Sequence, residues 1–345
     1  MASYNRSMRW TAVLAGACIP APWAAQWNAA LRPTALPSHL ARGTLEHADD
    51  AAGPQAAQRW LWQQLGGAGE PVRAPYVYTA LGGSALPSLW LCEPVHYAAG
   101  LDDITVLPLD APLSQSEAAA LLDAAVPALE ACGASLIDRQ GRWFLQPDRP
   151  WQIEAAPLEA ALGGSLRRHW PSGPDAPRWR RLLTEIQMRW HEHPVNLMRE
   201  RRGARSVNGL WLHGGGAWRP LPTLPWPAVL TDDPLVSGWM QAAGAAATAG
   251  RPADGPLPPQ PALFFDASLA QCCAPDDAAH WLDRWRLLAA RIETFRRHAL
   301  AQGAADVELV FSGRNALRRL RLRRTDALRF WRRRESQDLL LEADA

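Results

Sequence analysis

The period of the apolar positions changes several times along the chain, and each change predicts an element. Met8 to Ile19 is a mainly apolar run ended by Pro20 and Pro22, the pattern of a strand buried on both faces. Leu36 to Leu45 and Gln55 to Leu65 predict short helices. Pro75 to Ala80 and Ser88 to Cys92 predict strands on either side of a Gly82-Gly83 turn, and Ile104 to Leu109 a further strand. Ser114 to Cys132 predicts a helix: Ser114 can cap it, Glu117 stands three residues on, and Gly133 stops it. Leu136-Ile137 and Trp143 to Leu145 face each other across Asp138-Arg139-Gln140-Gly141 and predict a hairpin.

The second half continues the alternation. Asp175 to Gly203 predicts a helix in two pieces, with Leu182, Leu183, Ile186 and Trp190 on one stripe. Pro194 breaks the pattern and suits the first position of the second piece. Leu210-Trp211-Leu212 predicts a short strand running into Gly214, Gly215 and Gly216, and Thr231-Asp232-Asp233-Pro234 follows another apolar strand. Ala245 to Pro261 predicts a loose loop and Leu263 to Asp266 a strand. Asp276 to Gln302 predicts an amphipathic helix with Trp281, Trp285, Leu288, Ile292 and Phe295 on its apolar face. Val307 to Phe311 and Leu317 to Leu322 predict a hairpin, with a last short helix ending near Arg334. Strands alternating with helices predict an α/β fold with a largely parallel sheet flanked by helices. The expected organisation is a core in two parts, 8–92 and 166–345, with an inserted α+β subdomain at 93–165 and a C-terminal hairpin and short helix.

Composition narrows the function classes. A net charge of +2 on 345 residues does not mark the whole chain as a polyanion binder. All 36 basic residues are arginine; this fits GC-rich coding bias, and it also suits planar recognition of phosphate or carboxylate. Cys18, Cys92, Cys132, Cys272 and Cys273 form no CxxC pair, so neither a zinc knuckle nor a disulfide framework is indicated, and idle thiols in a reducing cytoplasm are expected. Arg6 and Arg9 before Trp10 to Ile19 also fit a short export signal, but the prolines and tryptophans that follow favour a buried strand. No stretch reaches the ~20 apolar residues that span a bilayer.

Chemistry concentrates between Trp190 and Gly216. Asn196 and Arg199 stand three apart, on one face of the second helix piece, and Arg199 could fork onto a phosphate or carboxylate. Asn208 precedes the glycine-tipped strand, and glycine backbone N–H groups can approach an anion closely. The alternative is that the asparagines bridge backbone, Arg199 is solvated and the glycines only turn the chain. His191, His193 and His213, with the strand-end Asp232, Asp233 and Asp266, are weak candidates for a metal site. Ser84 has no nucleophile elbow. Arg319, Arg321 and Arg323 alternate with Leu320 and Leu322, as in a strand with one wet face, and with Phe330 and Trp331 nearby they could instead grip nucleic acid.

The segment His193-Pro194-Val195-Asn196, Arg199, Gly203, Asn208, Trp211 and Gly214 to Gly216 resembles the HPVN-x2-R-x3-G-x4-N-x2-W-x2-GGG motif of a bacterial family. That family comprises regulatory proteins of the RpfE type, related to archaeal-type cofactor-independent phosphoglycerate mutases. Cys92-Glu93-Pro94-Val95-His96, Trp179 to Gln187 and Phe330 to Arg333 are similar to other segments of it. The resemblance implies an alkaline-phosphatase-like fold. It also implies a ligand-binding surface at Asn196, Arg199, Asn208, Trp211 and Gly214 to Gly216. The mutases use two divalent metals and a phosphorylated serine, and here the chain departs from them. Ala15 stands where their first strand ends in Asp-Gly, 46–55 holds no serine, and no Asp-His follows 263–266.

The expectation is a non-catalytic, cytoplasmic, regulatory or ligand-binding protein with no cofactor. Its partner would be a small phosphorylated or carboxylate ligand, or another protein, and not a membrane. The alternatives are an active metal-dependent mutase or phosphatase with rearranged ligands, and a nucleic-acid binder using the C-terminal arginines.

Overall fold

A computed structural model describes residues 9–20, 23, 38–50, 52–53, 55–101, 103–222, 225–249, 256–271, 278–329, 331 and 339–342. In chain order the elements begin with β1 (Thr11–Ala15), α1 (Ser38–Arg42), β2 (Thr44–Asp49) and α2 (Ala56–Gln64). Then come α3 (Ala74–Ala80), β3 (Leu89–Ala99), β4 (Ile104–Leu107), α4 (Gln115–Ala131), β5 (Ala134–Arg139), β6 (Arg142–Pro147), α5 (Ala176–His191), α6 (Pro194–Arg201) and β7 (Gly209–Gly216). The chain continues with β8 (Ala228–Thr231), α7 (Pro234–Ala242), β9 (Ala246–Ala249), β10 (Ala262–Asp266), α8 (Ala278–Ala301), β11 (Asp306–Ser312) and β12 (Leu317–Arg323). Two compact units result, Glu70–Arg219 and the remainder. The inserted unit is wider than the expected 93–165. The reason is that β3 pairs along most of its length with β7, which the sequence reading assigned to the core.

The discontinuous unit holds a seven-stranded sheet in the order β2-β12-β11-β1-β10-β8-β9. β11, β1, β10, β8 and β9 run parallel, and the β11–β12–β2 edge is antiparallel. All five β1 residues are buried, as a central strand covered on both faces requires. Ala12, Leu14, Phe264, Leu309 and Phe311 pack against Trp281, Trp285, Leu288, Ile292 and Phe295 of α8. Each of those large side chains, once fully buried, contributes about 1.5–3 kcal/mol. The opposite face is covered by α2 and α7. There the Trp226 indole donates to Thr11 Oγ1, Trp60 packs on Trp226, and Trp62 on Trp239.

The inserted unit is a five-stranded antiparallel sheet, β4-β3-β6-β5 with β7 added beside β3. α4 and α5 cover one face with Leu121, Ala125, Trp179, Leu182, Leu183, Ile186 and Trp190, all buried. α3 covers the other and meets β3 and β7. The expected capping box is present: Ser114 Oγ accepts from Glu117 N (3.2 Å) and Glu117 Oε2 from Ser114 N (2.9 Å). Gln140 and Gly141, both at positive φ, make the tight turn between β5 and β6.

Several expectations are corrected. Residues 75–80 form the helix α3, not a strand; Pro75 fits its first turn and Tyr76, Val77 and Tyr78 are buried whichever way the segment is read. The three glycines lie within β7 and do not form a loop beyond it, because Gly216 still pairs with Leu89. α7 and the strands β2 and β9 are additional, and β9 falls inside the expected loop 245–261, of which 250–255 lies outside the described residues. The expected helix end near Arg334, the pair Cys272–Cys273 and the segment 24–37 also lie outside them. Cys18, Cys92 and Cys132 are free and buried. Among the described residues, no helix is long and apolar enough to cross a membrane.

Candidate functional site

The polar residues of the central motif face inward. Asn196 is 1 % exposed. Its Nδ2 donates to Trp190 O (2.8 Å) and Val207 O (2.9 Å), and its Oδ1 accepts from Val207 N (2.8 Å). It therefore ties the end of α5 to the segment that enters β7. Arg199 is 2 % exposed. It donates from Nε to Arg205 O and from Nη2 to Ala111 O, both at 2.8 Å, and pairs with Asp110 at 3.7 Å. Asn208 forms a two-way bridge with the backbone of Tyr97: Oδ1 accepts from Tyr97 N (2.6 Å) and Nδ2 donates to Tyr97 O (3.0 Å). His96 Nδ1 lies 2.9 Å from Ser206 O. Trp211 is buried and donates to Ala156 O at 2.9 Å. Thus the two segments that carry the resemblance, 92–96 and 193–216, brace each other across β3 and β7. The hydrogen bonds of Asn196, Arg199, Asn208 and Trp211 run to backbone groups, and Arg199 also faces Asp110.

The glycine strand is likewise occupied. A Cβ on Gly215 would lie 2.1 Å from the Trp90 ring, and one on Gly216 2.7 Å from Val72. Gly214 has φ +60° in a register irregularity between Leu89 and Leu91, and a Cβ there would meet the Arg73 stem at 2.8 Å. Arg73 N donates to Gly214 O (2.9 Å), which seats the start of α3 on β7. Glycine is required here for close packing.

What this packing assembles is a charged cluster. Leu91 pairs with His213 and Glu93 with Trp211, so Glu93 and His213 share one face of the sheet as diagonal neighbours. Their side chains meet, His213 Nε2 to Glu93 Oε1, at 2.8 Å. His213 is 2 % exposed, whereas the Glu93 side chain is 42 % exposed. Burial pushes the Glu93 carboxyl up. The hydrogen bond from His213 and the charges of His213, Arg142 and Arg73 outweigh that and hold it below its usual range. His213 Nδ1 is buried with no hydrogen-bond partner, an arrangement that costs free energy unless something fills it. Arg142 is exposed, and no salt bridge among the described residues engages it. Arg73 and Arg142 were not singled out from the sequence, and Glu93 entered only as part of the segment Cys92 to His96. The usable signal was a glutamate in the middle of an otherwise apolar strand.

The weak metal candidates are not brought together. His191 ends α5 exposed, and His193 caps α6 by accepting from Val195 N (3.3 Å). Asp233 caps α7, accepting from Leu235 N (2.8 Å) and Val236 N (3.2 Å). Asp266 accepts from Ser268 N (2.8 Å) and stands 3.9 Å from Arg291. Asp232 is exposed. Among the described residues, no group of three or more His, Cys, Asp or Glu could hold a metal ion. The C-terminal arginines are also engaged: Arg319 with Glu308, Arg321 with Glu46 and Asp306, and Arg318 with Asp50. Arg323 remains exposed.

No protein-family model matches the chain, and no curated protein matches it. The chain is similar in fold to the PH0037 protein from Pyrococcus horikoshii, with a TM-score of 0.55 and 15 % identity over 96 % of this chain and 93 % of that one. A cofactor-independent phosphoglycerate mutase from Thermoplasma acidophilum aligns over 92 % of this chain and 90 % of its own, at a TM-score of 0.38 and 14 % identity.

Proposed function

We propose that this chain is a non-catalytic, mutase-like binding protein for a small phosphorylated or carboxylate ligand, and that the ligand is met by Arg142, His213 and Arg73 beside Glu93. The observation that carries the reading is the buried, unpartnered Nδ1 of His213, whose Nε2 meets Glu93, a carboxylate that also feels the charge of the exposed Arg142. The exposed Arg142 brings positive charge to this cluster, and arginine supplies a planar fork for carboxylate or phosphate. Glu93 fixes the histidine by accepting its Nε2 hydrogen, so that Nδ1 offers a lone pair to a donor on the ligand; once protonated, Nδ1 donates instead. Asn196, Arg199, Asn208 and Trp211 act as the frame that holds β7 in place. Among the described residues the catalytic alternative lacks a group of three metal-ligating side chains, and two of the strand-end aspartates that would serve it, Asp233 and Asp266, cap a helix and a turn. The nucleic-acid alternative is weakened because three of the C-terminal arginines face carboxylates.

The test is calorimetric titration of the full chain with 3-phosphoglycerate and with inorganic phosphate. The wild type should bind at least one, and Arg142→Ala should weaken binding by about tenfold or more, the loss of one charged hydrogen bond, with an unchanged melting temperature. Equal affinities for Arg142→Ala and wild type would overturn the assignment. Turnover of 3-phosphoglycerate on addition of Mn²⁺ would overturn the non-catalytic reading.

A further inference from the structure

The carboxyl edge of the parallel sheet, where open α/β sheets place their ligands, carries a second feature in the discontinuous unit. Residues 339–342 lie against the end of β1. Ile19 N donates to Leu340 O (2.6 Å) and Glu342 N to Ile19 O (2.9 Å), while Cys18 N donates to Ser312 O (3.0 Å) at the end of β11. Leu339 and Leu340 are buried in the core. The Glu342 carboxylate, 6 % exposed, then reaches the β11–β12 loop. Its Oε1 accepts from Asn315 N (3.1 Å) and Ala316 N (3.4 Å). A Cβ on Gly313 would lie 2.0 Å from that oxygen, so the carboxylate occupies the space the glycine leaves. Arg318, with 6 % of its side chain exposed, pairs with Asp50 and donates from Nη2 to Leu341 O (3.2 Å), which ties the segment to the β12 edge.

We propose that the loop 313–316 is an oxyanion-binding nest and that Glu342 is its built-in occupant. The neighbouring backbone N–H groups of Asn315 and Ala316, beside a glycine, form the kind of concavity that takes small anions. Glu342 fills it as an intramolecular ligand, so a free carboxylate or phosphate enters only when the tail lifts. The short segment 339–342 is thus a strap that competes with an external anion at this edge. The proposal shares no residue with the Arg142 cluster and stands or falls apart from it.

The experiment is anion rescue in the full chain. Glu342→Ala, with Leu339 to Leu341 intact, should melt below the wild type. Sodium acetate or sodium phosphate, against sodium chloride at equal ionic strength, should restore much of the loss in a saturable way while moving the wild type little. Rescue by acetate marks a carboxylate ligand, and stronger rescue by phosphate marks a phosphate monoester. Both responses should persist when Arg142→Ala is added. Should Glu342→Ala not fold, Glu342→Gln carries the test, because it keeps an acceptor oxygen and loses the charge. Its midpoint for phosphate should then fall by about tenfold relative to wild type, about one hydrogen bond to a charged group. Equal anion responses in variant and wild type overturn the proposal.

Discussion

Replacing Asn196 with alanine separates a structural brace from a binding residue. The amide makes three hydrogen bonds, to Trp190 O, Val207 O and Val207 N, at a position 1 % exposed. A buried hydrogen bond contributes about 1 kcal/mol net, so their loss costs about 3 kcal/mol before any penalty for stranded backbone groups. Those groups sit at the end of α5 and the entry to β7, where water has little access, so the stranding adds to the cost. For a unit of this size each kcal/mol lowers the melting temperature by about 2–4 °C, which gives a fall of roughly 6–12 °C. The assay is a pair of measurements on the same variant: thermal melting, and titration with 3-phosphoglycerate below the lowered transition. The expected outcome is a large stability loss with affinity within about twofold of wild type, since a frame residue makes no contact that binding changes. A variant that melts like the wild type and no longer binds would refute the brace and restore Asn196 to the ligand surface.

Two further outcomes follow from the same unit. Gly215→Ala should destabilise by about 1–3 kcal/mol or more, because its Cβ would lie 2.1 Å from the Trp90 ring; denaturant titration checks it, and a neutral result would mean that Trp90 can move aside. Because the Glu93 carboxyl is held below its ordinary value, the folded state gains stability above the unfolded carboxyl's pKa. That gain is lost as the pH falls through the folded value, so Glu93→Gln should flatten the acid limb of the stability–pH profile, read as melting temperature across the acid range. An unchanged profile would remove Glu93 from the charged cluster.

The fold was legible wherever one local signal fixed an element. Ser114 with Glu117 and Gly133 placed α4 to within a residue, and Pro194 and Gly203 delimited α6, because caps and breakers act through the nearest backbone groups. The stripe Trp281, Trp285, Leu288, Ile292 and Phe295 marked α8 and its buried face together. Residues 75–80 misled because their aromatic and β-branched side chains favour a strand locally, while packing on β3 and β7 decides for helix. The unit boundary misled for a related reason: β3 and β7 lie more than a hundred residues apart, and only their pairing shows that both belong to the insert. The motif residues were found, yet their partners were hidden. An asparagine in a sequence does not reveal whether its amide will meet a ligand or the backbone of Tyr97.

That distinction bears on what the motif residues do in this fold. At the sheet edge of the discontinuous unit three acidic groups serve as internal fittings. Asp233 caps α7, Asp266 anchors a turn and faces Arg291, and Glu342 closes the loop 313–316. In the inserted unit the motif holds β7 against β3, and that pairing sets Glu93 and His213 within hydrogen-bonding distance. Under the proposed function, the motif therefore acts on the ligand surface at one remove. Changes in Asn196, Arg199 or Asn208 reach the cluster through strand register, in which a one-residue slip would turn His213 to the opposite face. Under the proposed function, changes in Arg142 or His213 act on the ligand itself.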